Sequence, residues 1–226
     1  MAPRLILIDG LPGSGKSTLA VELGRRLPGA RVYLENEGPN PFHAFEPGEE
    51  VAAFSESNHY TPAQVAEKSL EAWQTFANRA EPCLHIAESY PFQSGVRVIL
   101  QMDGSLELIH DYFHKLEHLA RPISPMLIEL SSGDVLNEIE RIALIRGAKW
   151  AASVVAFIEE TPWARNRSLT GMEAARAFMK AYAEVVECLL KVSTLPRIQL
   201  PGGKGFSERV VEQAYLWIQE QTCSNV

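Results

Sequence analysis

The apolar run Leu5-Ile6-Leu7-Ile8 stops at Asp9 and passes directly into Gly10-Leu11-Pro12-Gly13-Ser14-Gly15-Lys16-Ser17. An apolar run that short reads as a buried strand. Behind it, Lys16 to Leu27 reads as a helix closed by Pro28-Gly29. A strand, a glycine-rich turn and a helix in that order leave few folds open. The turn satisfies GxxxxGK(S/T), and each residue type follows from the anion such a loop holds. Gly13 and Gly15 permit backbone conformations that a Cβ forbids, so successive N–H groups converge on one phosphate. The helix start adds the positive end of its dipole. Lys16 meets the β and γ phosphates as a point charge, and Ser17 offers a hydroxyl to Mg2+. Gly10, Ser14 and Thr18 complete the nucleotide-binding set.

The remaining chain alternates short apolar runs with helix-period segments, which indicates a parallel sheet with helices on both faces. Strands are expected at 4–9, 31–34, 82–87, 126–130 and 197–200. Helices are expected at 16–27, 62 to about 79, 94–119 with a break near Asp103-Gly104, 134–146 and 207–221. A long helix after Thr170 carries Met172, Ala175, Met179, Tyr182, Val186 and Leu189. Thr61-Pro62 supplies an N-cap and a first-turn proline. Thr170-Gly171-Met172-Glu173 has the spacing of a capping box. Residues 35–50 form a polar loop with Pro39, Pro41 and Pro47, too long for a mere connector.

Lys and Arg number 21 against 28 Asp and Glu, a net charge of −7. That balance argues against DNA, RNA and anionic lipid as partners. No apolar run approaches the ~18 residues of a membrane span, and the first is too short for a signal-peptide core. A cytoplasmic chain is the expectation. Cys83, Cys188 and Cys223 stand far apart without metal-ligand spacing and read as free thiols. His110, His114 and His118 share one helix face without a carboxylate motif, so they read as a polar face.

The stretch Asp9 to Leu19 resembles the phosphate loop and entry strand of the P-loop kinases, thymidylate kinase and the nucleoside kinases in particular. Ile86-Ala87-Glu88-Ser89-Tyr90 is similar to the end of their third strand. Leu127-Ile128-Glu129-Leu130 and Arg141 to Gly147 are similar to their fourth strand and lid entry. The resemblance implies an α/β P-loop NTPase fold of nucleotide-kinase type. One domain, residues 1–226, would hold a five-stranded parallel sheet flanked by helices, with a helical lid at about 141–170. It implies ATP and Mg2+ as cofactors and a small-molecule acceptor, nucleoside- or nucleotide-like. A homodimer is compatible with it.

Within that frame Glu88, at a strand's carboxyl end, joins Ser17 as a metal ligand, or is a plain strand-end glutamate. Glu35 or Glu37 serves the acceptor hydroxyl as base or anchor, or belongs to a solvated acidic loop. Arg141 and Arg146 bring lid charge to the transferring group, with Arg165 and Arg167 as second candidates; the alternative for all four is surface charge. Arg97 faces the acceptor. Tyr90 and Phe92 stack on it or pack in the core. Gly202 to Gly205 borders the adenine or is a connector. Two departures matter. Ser89 stands where the family carries arginine, and Glu35 to Pro41 lacks the arginine of the family's Arg-Glu-Pro-Gly.

A GTPase would show NKxD and DxxG, and neither occurs, which favours adenine. A motor of the AAA type needs an added helical domain that 226 residues do not accommodate. A nucleotide-binding ATPase or switch without kinase activity stays open, as does a metabolite or antibiotic acceptor. A monophosphate would bring roughly −1.5 to −2 of charge against Glu35 and Glu37, so an acceptor less anionic than a nucleoside monophosphate is expected.

Overall fold

The computed structural model describes residues 4–35, 37, 40–45, 60–131, 133 and 135–223, with backbone only at 135–139 and 223. Strands β1 (Arg4–Gly10), β2 (Arg31–Tyr33), β3 (Leu84–Glu88), β4 (Pro125–Ser131) and β5 (Arg197–Pro201) form one sheet in the order β2-β3-β1-β4-β5. Every pairing is parallel, with Ile8 opposite Glu88 on one side and Ile128 on the other. Leu5 to Ile8 are wholly buried, as a central parallel strand covered on both faces must be.

The two-residue period of β1 divides the core. Ile6 and Ile8 pack with Leu19, Ala20 and Leu23 of α1 (Lys16–Arg26) and with Val210, Val211, Ala214 and Ile218 of α9 (Glu208–Cys223). Leu5 and Leu7 point the other way. There they meet α2 (Pro62–Arg79), α3 (Arg97–Gln101), α4 (Leu106–Ala120), α6 (Ala148–Glu159), α7 (Pro162–Arg165) and α8 (Gly171–Val192). Helix α5 (Val135–Arg146) follows β4 and sets Ile142, 3% exposed, beside the glycine-rich turn. This is the expected α/β fold. It places the carboxyl ends of β1, β3 and β4 around one crevice.

Local signals explain several boundaries. Thr61 caps α2, its hydroxyl accepting from Gln64 N at 3.3 Å while Gln64 Oε1 accepts from Thr61 N at 2.8 Å. The break at Asp103-Gly104 closes when Gly104 N donates to Ile99 O at 3.0 Å. Ser105 then caps α4. Elsewhere the expectation needs correction. The Thr170–Glu173 capping box does not form: the Thr170 side chain makes no capping bond, and the Gly171 N–H donates to the Glu159 carboxylate at the end of α6. The helix expected from Ser94 opens as a wider turn, Phe92–Val96, in which Ser94 N reaches Ser89 O at 3.0 Å. The segment 148–165, expected only as lid, is helical as α6 and α7.

Cys83 and Cys188 are free thiols. His110, His114 and His118 are exposed along α4. Cys223's side chain, residues 46–59, and with them positions 46–50 of the polar loop expected at 35–50, lie outside the described residues. Among the described residues no helix is long and apolar enough to cross a membrane.

Candidate functional site

The turn between β1 and α1 is shaped by neighbours from both ends of the chain. Gly15 takes φ 103°, and a Cβ there would lie 2.7 Å from the Phe206 ring. Gly13 takes φ 77°, and its Cβ would lie 2.6 Å from Ile142. The first bond within α1 runs from Leu19 N to Gly15 O at 2.9 Å. The N–H groups of Lys16, Ser17 and Thr18 therefore lack a carbonyl one turn below and face outward along the helix axis. Lys16 is 5% exposed, and its Nζ donates to Gly10 O at 2.9 Å and Leu11 O at 3.1 Å. Burial lowers its pKa, opposed by the charges of Asp9, Glu88 and Glu35.

From α1 a polar chain crosses the sheet. Ser17 Oγ donates to Glu88 Oε1 at 3.1 Å, and Glu88 Oε2 accepts from Glu35 N at 2.9 Å. Glu35 Oε2 in turn accepts from Ser89 Oγ at 3.0 Å and from Gln93 Nε2 at 2.7 Å. Arg97 lies 3.6 Å from Glu35 Oε1, and its Nε donates to Gln93 O at 2.8 Å. Ser17 and Glu88 thus present hard oxygens side by side. Among the described residues no cluster of three or more His, Cys, Asp or Glu suits a metal, so a cation here would complete its shell from elsewhere. Mg2+ characteristically does that, with waters and phosphate oxygens.

Asp9 organises the crevice from beneath, and the sequence reading treated it only as the end of a strand. It is 1% exposed and accepts from Gly10 N at 2.6 Å, Phe92 N at 2.6 Å and Gln93 N at 3.1 Å. Burial pushes its carboxyl up to about 6, against the pull of Lys16 and these N–H groups. A carboxylate closing a buried strand just before a glycine turn is the signal that could have marked it.

A cavity of ≈ 300 Å³ opens above the turn, walled by Lys16, Ser17, Glu35, Glu88, Arg141 and Arg146. Arg141 reaches across it, donating to Gly13 O at 2.9 Å. A second cavity of ≈ 210 Å³ adjoins it through Pro12, Gln93, Ile142 and Arg146. It runs beneath α6 and α8 past Trp150, Val154, Phe178 and Met179.

The fold recurs in solved structures. Thymidylate kinase from Candida albicans matches 99% of this chain and 92% of its own at 17% identity, with a TM-score of 0.51. The YorR protein from Bacillus subtilis, solved with phosphorylated GDP, matches 97% of this chain and 98% of its own at 12% identity, with a TM-score of 0.53. The chain has the P-loop kinase fold. No family model matches the chain, and no curated protein matches it.

In this P-loop kinase fold the residues singled out from the sequence divide into two groups. Gly13, Gly15, Lys16, Ser17, Thr18, Glu35, Glu88, Arg141 and Arg146 meet at the first cavity, and Arg97 lines the second. Gly10 and Ser14 support the turn, with Ser14 wholly buried. Glu37 is exposed and lines neither cavity. Tyr90 and Phe92 are each 1% exposed, and their rings sit in the core. Tyr90 lies 5.0 Å from Phe42, and Phe92 lies 5.4 Å from Phe113. Of the two readings open for this pair, the geometry matches packing. Arg167 bonds Asp103 at 2.6 Å and stacks over Trp163, tying α7 to the α3–α4 break. Neither Arg165 nor Arg167 lines the two cavities. The Gly202–Gly205 loop abuts the turn, Gly203 N donating to Ser14 O at 3.0 Å. Gln93, Ile142 and Trp150 escaped the sequence reading, since each reaches the site only through the packing of its helix or turn.

Proposed function

We propose that the chain is an ATP-dependent phosphotransferase acting on a small molecule through one domain, with residues of about 141–170 as its lid. One observation carries this reading. The Glu35 carboxylate and the Lys16 ammonium wall the same cavity, and the Glu35 backbone N–H is tied to Ser17 through the Glu88 carboxylate. An ATPase or a switch requires a phosphate loop and a metal site. An ATPase and a kinase both also need a group that orients the attacking oxygen, water in an ATPase and the acceptor hydroxyl in a kinase; Glu35 has the position for it, and the adjoining second cavity offers room for an acceptor.

In this reading Lys16 and the N–H groups opening α1 bind and orient the β and γ phosphates. Ser17 and Glu88 hold Mg2+, which when bound neutralises charge on the phosphate oxygens. Arg141 and Arg146 add positive charge where the transferring group carries its negative charge. Ile142, 3% exposed, gives the same wall an apolar face. The acceptor oxygen bonds to the γ phosphorus as the bond from that phosphorus to the bridging oxygen breaks. ADP leaves, and the hydroxyl proton passes to Glu35. Adenine is the expected base, bordered by Gly202 to Gly205. The net charge of −7 supports a small-molecule acceptor over a nucleic acid.

The test is ADP release with ATP and Mg2+ against nucleosides, nucleotides and hydroxylated antibiotics, with Lys16→Ala as control. Acceptor-dependent ADP release, lost in a folded Lys16→Ala, is the expected result. Release at one rate with and without every acceptor would replace the reading with an ATPase.

A further inference from the structure

Among the described residues, Gln93 lines both cavities and bonds the proposed base. Its side chain is 6% exposed. Because a carboxylate oxygen can only accept, the 2.7 Å bond to Glu35 Oε2 assigns the amide NH2 to that side. Its Oε1 is then left buried without a hydrogen-bond partner among the described residues. The side chain has little freedom to correct this. Its backbone N–H is held by Asp9 and its carbonyl by Arg97. Buried acceptors in folded proteins are satisfied by protein, water or ligand. Whatever occupies the junction of the two cavities completes this oxygen by bringing an N–H or O–H.

The charges around that junction are already balanced. Arg97 is engaged by Glu35 and by the Gln93 carbonyl. The Arg146 guanidinium lies over the Trp150 ring, 5.2 Å from its centre. Ser89 contributes a neutral hydroxyl to Glu35. An acceptor phosphate would bring about −1.5 to −2 of charge beside Glu35, where Arg97 is already paired with that carboxylate. Beyond the junction, the second cavity is bounded by Ile142, Trp150, Val154, Phe178 and Met179, so what fills it is apolar.

We infer that the acceptor is an uncharged alcohol with an apolar, ring-sized body, carrying a second hydrogen-bond donor near its reacting hydroxyl. The inference rests on the phosphotransferase reading and narrows its substrate class. The body lies beneath α6 and α8, the second donor meets Gln93 Oε1, and the reacting hydroxyl faces Glu35. In the transfer that oxygen bonds to the γ phosphorus of ATP, ADP is released, and the proton goes to Glu35.

Four probes test it in an ADP-release assay with ATP and Mg2+: phenylpropanediol, phenylpropanol, phenylpropanediol monophosphate and thymidine monophosphate. Calorimetry of the two alcohols runs in parallel with the ATP-analogue-loaded protein. The diol is expected to exceed phenylpropanol in kcat/KM by about tenfold, the worth of one neutral hydrogen bond. Both phosphorylated probes should fall far below the diol. Gln93→Met, which keeps shape and removes the oxygen, should raise the Kd and KM of the diol about tenfold and leave phenylpropanol within about twofold. Trp150→Ala, on a half-exposed face, should weaken both alcohols alike. ADP release confined to the phosphorylated probes, or no diol binding at all, overturns the inference and leaves the phosphotransferase reading standing. Gln93-dependent diol binding with no acceptor-dependent ADP release overturns the phosphotransferase reading and keeps the ligand class of the cavity.

Discussion

The Ser89 hydroxyl lies 3.0 Å from Glu35 Oε2 and 2.9 Å from Glu88 Oε1, shares its one proton between them, and ties the loop after β3 to the loop after β2. Ser89 is wholly buried at φ 70°, so its hydroxyl is fixed rather than mobile. With Gln93 Nε2 on the same oxygen, it holds the carboxylate against the cavity wall. The kinases that the loop resembles carry an arginine at this place. Here a neutral donor meets one carboxylate oxygen, and Arg97 approaches the other at 3.6 Å.

Glu35→Gln should lower kcat by about 10²–10³, the worth of a general base. ATP affinity should stay within about twofold, since this carboxylate meets no phosphate. Steady-state rates and calorimetry separate the two. Ser89→Ala should lower kcat less, because Gln93 still holds Glu35.

Glu88→Ala should raise the Mg2+ concentration needed for half-maximal rate by about 10–100-fold. Glu88 is 3% exposed and linked to both Ser17 and Glu35. Chelation of Mg2+ should abolish turnover in the unaltered chain while leaving the melting temperature of the nucleotide-free protein unchanged. Activation curves and thermal melts check both points.

Gly15→Ala should abolish nucleotide binding and destabilise the fold by about 1–3 kcal/mol. Its Cβ would lie 2.7 Å from the Phe206 ring, and φ 103° is itself costly for alanine. Adding Phe206→Ala removes the clash and leaves the backbone strain. The double variant should therefore recover part of the melting temperature and little of the ATP affinity. Full recovery of both would show that contact with Phe206 is the whole reason for the glycine.

Asp9 should contribute a pH dependence to stability. Its carboxyl moves from 3.8 up to about 6 on folding, chiefly through burial. Between these values the folded state binds more protons than the unfolded one. Stability from this group is greatest below pH ~4, falls as pH rises, and levels off above pH ~6, by about 3 kcal/mol in all. Asp9→Asn should flatten that segment of the curve. Urea denaturation of both proteins at intervals from pH 4 to 7 provides the comparison, and equal slopes would refute the assignment.

The phosphate loop, the five strands and most helix positions follow from short-range pattern. β1 and its turn are read from consecutive residues, and the period of α8 from one apolar stripe. Two local outcomes are not fixed by sequence spacing. Thr170 and Glu173 have capping-box spacing, yet the Thr170 side chain makes no capping bond, and Glu159 of a neighbouring helix holds the Gly171 N–H. Tyr90 and Phe92 sit in a loop, yet Phe42, Trp73 and Phe113 enclose them.

By itself the sequence determined the strand-turn-helix that holds phosphate, because that geometry is written in glycine conformations and in residues adjacent along the chain. It also determined the sheet's parallel character, through apolar runs separated by helical segments. Only the tertiary structure decided which carboxylate meets the cavity, with Glu35 on its wall and Glu37 exposed. It also decided that Asp9 and Gln93 belong to the site. These outcomes depend on contacts between residues 50 to 85 positions apart, such as Glu35 with Gln93 and Asp9 with Phe92. Such contacts exist only after β1, β2 and β3 pair and bring their carboxyl ends together.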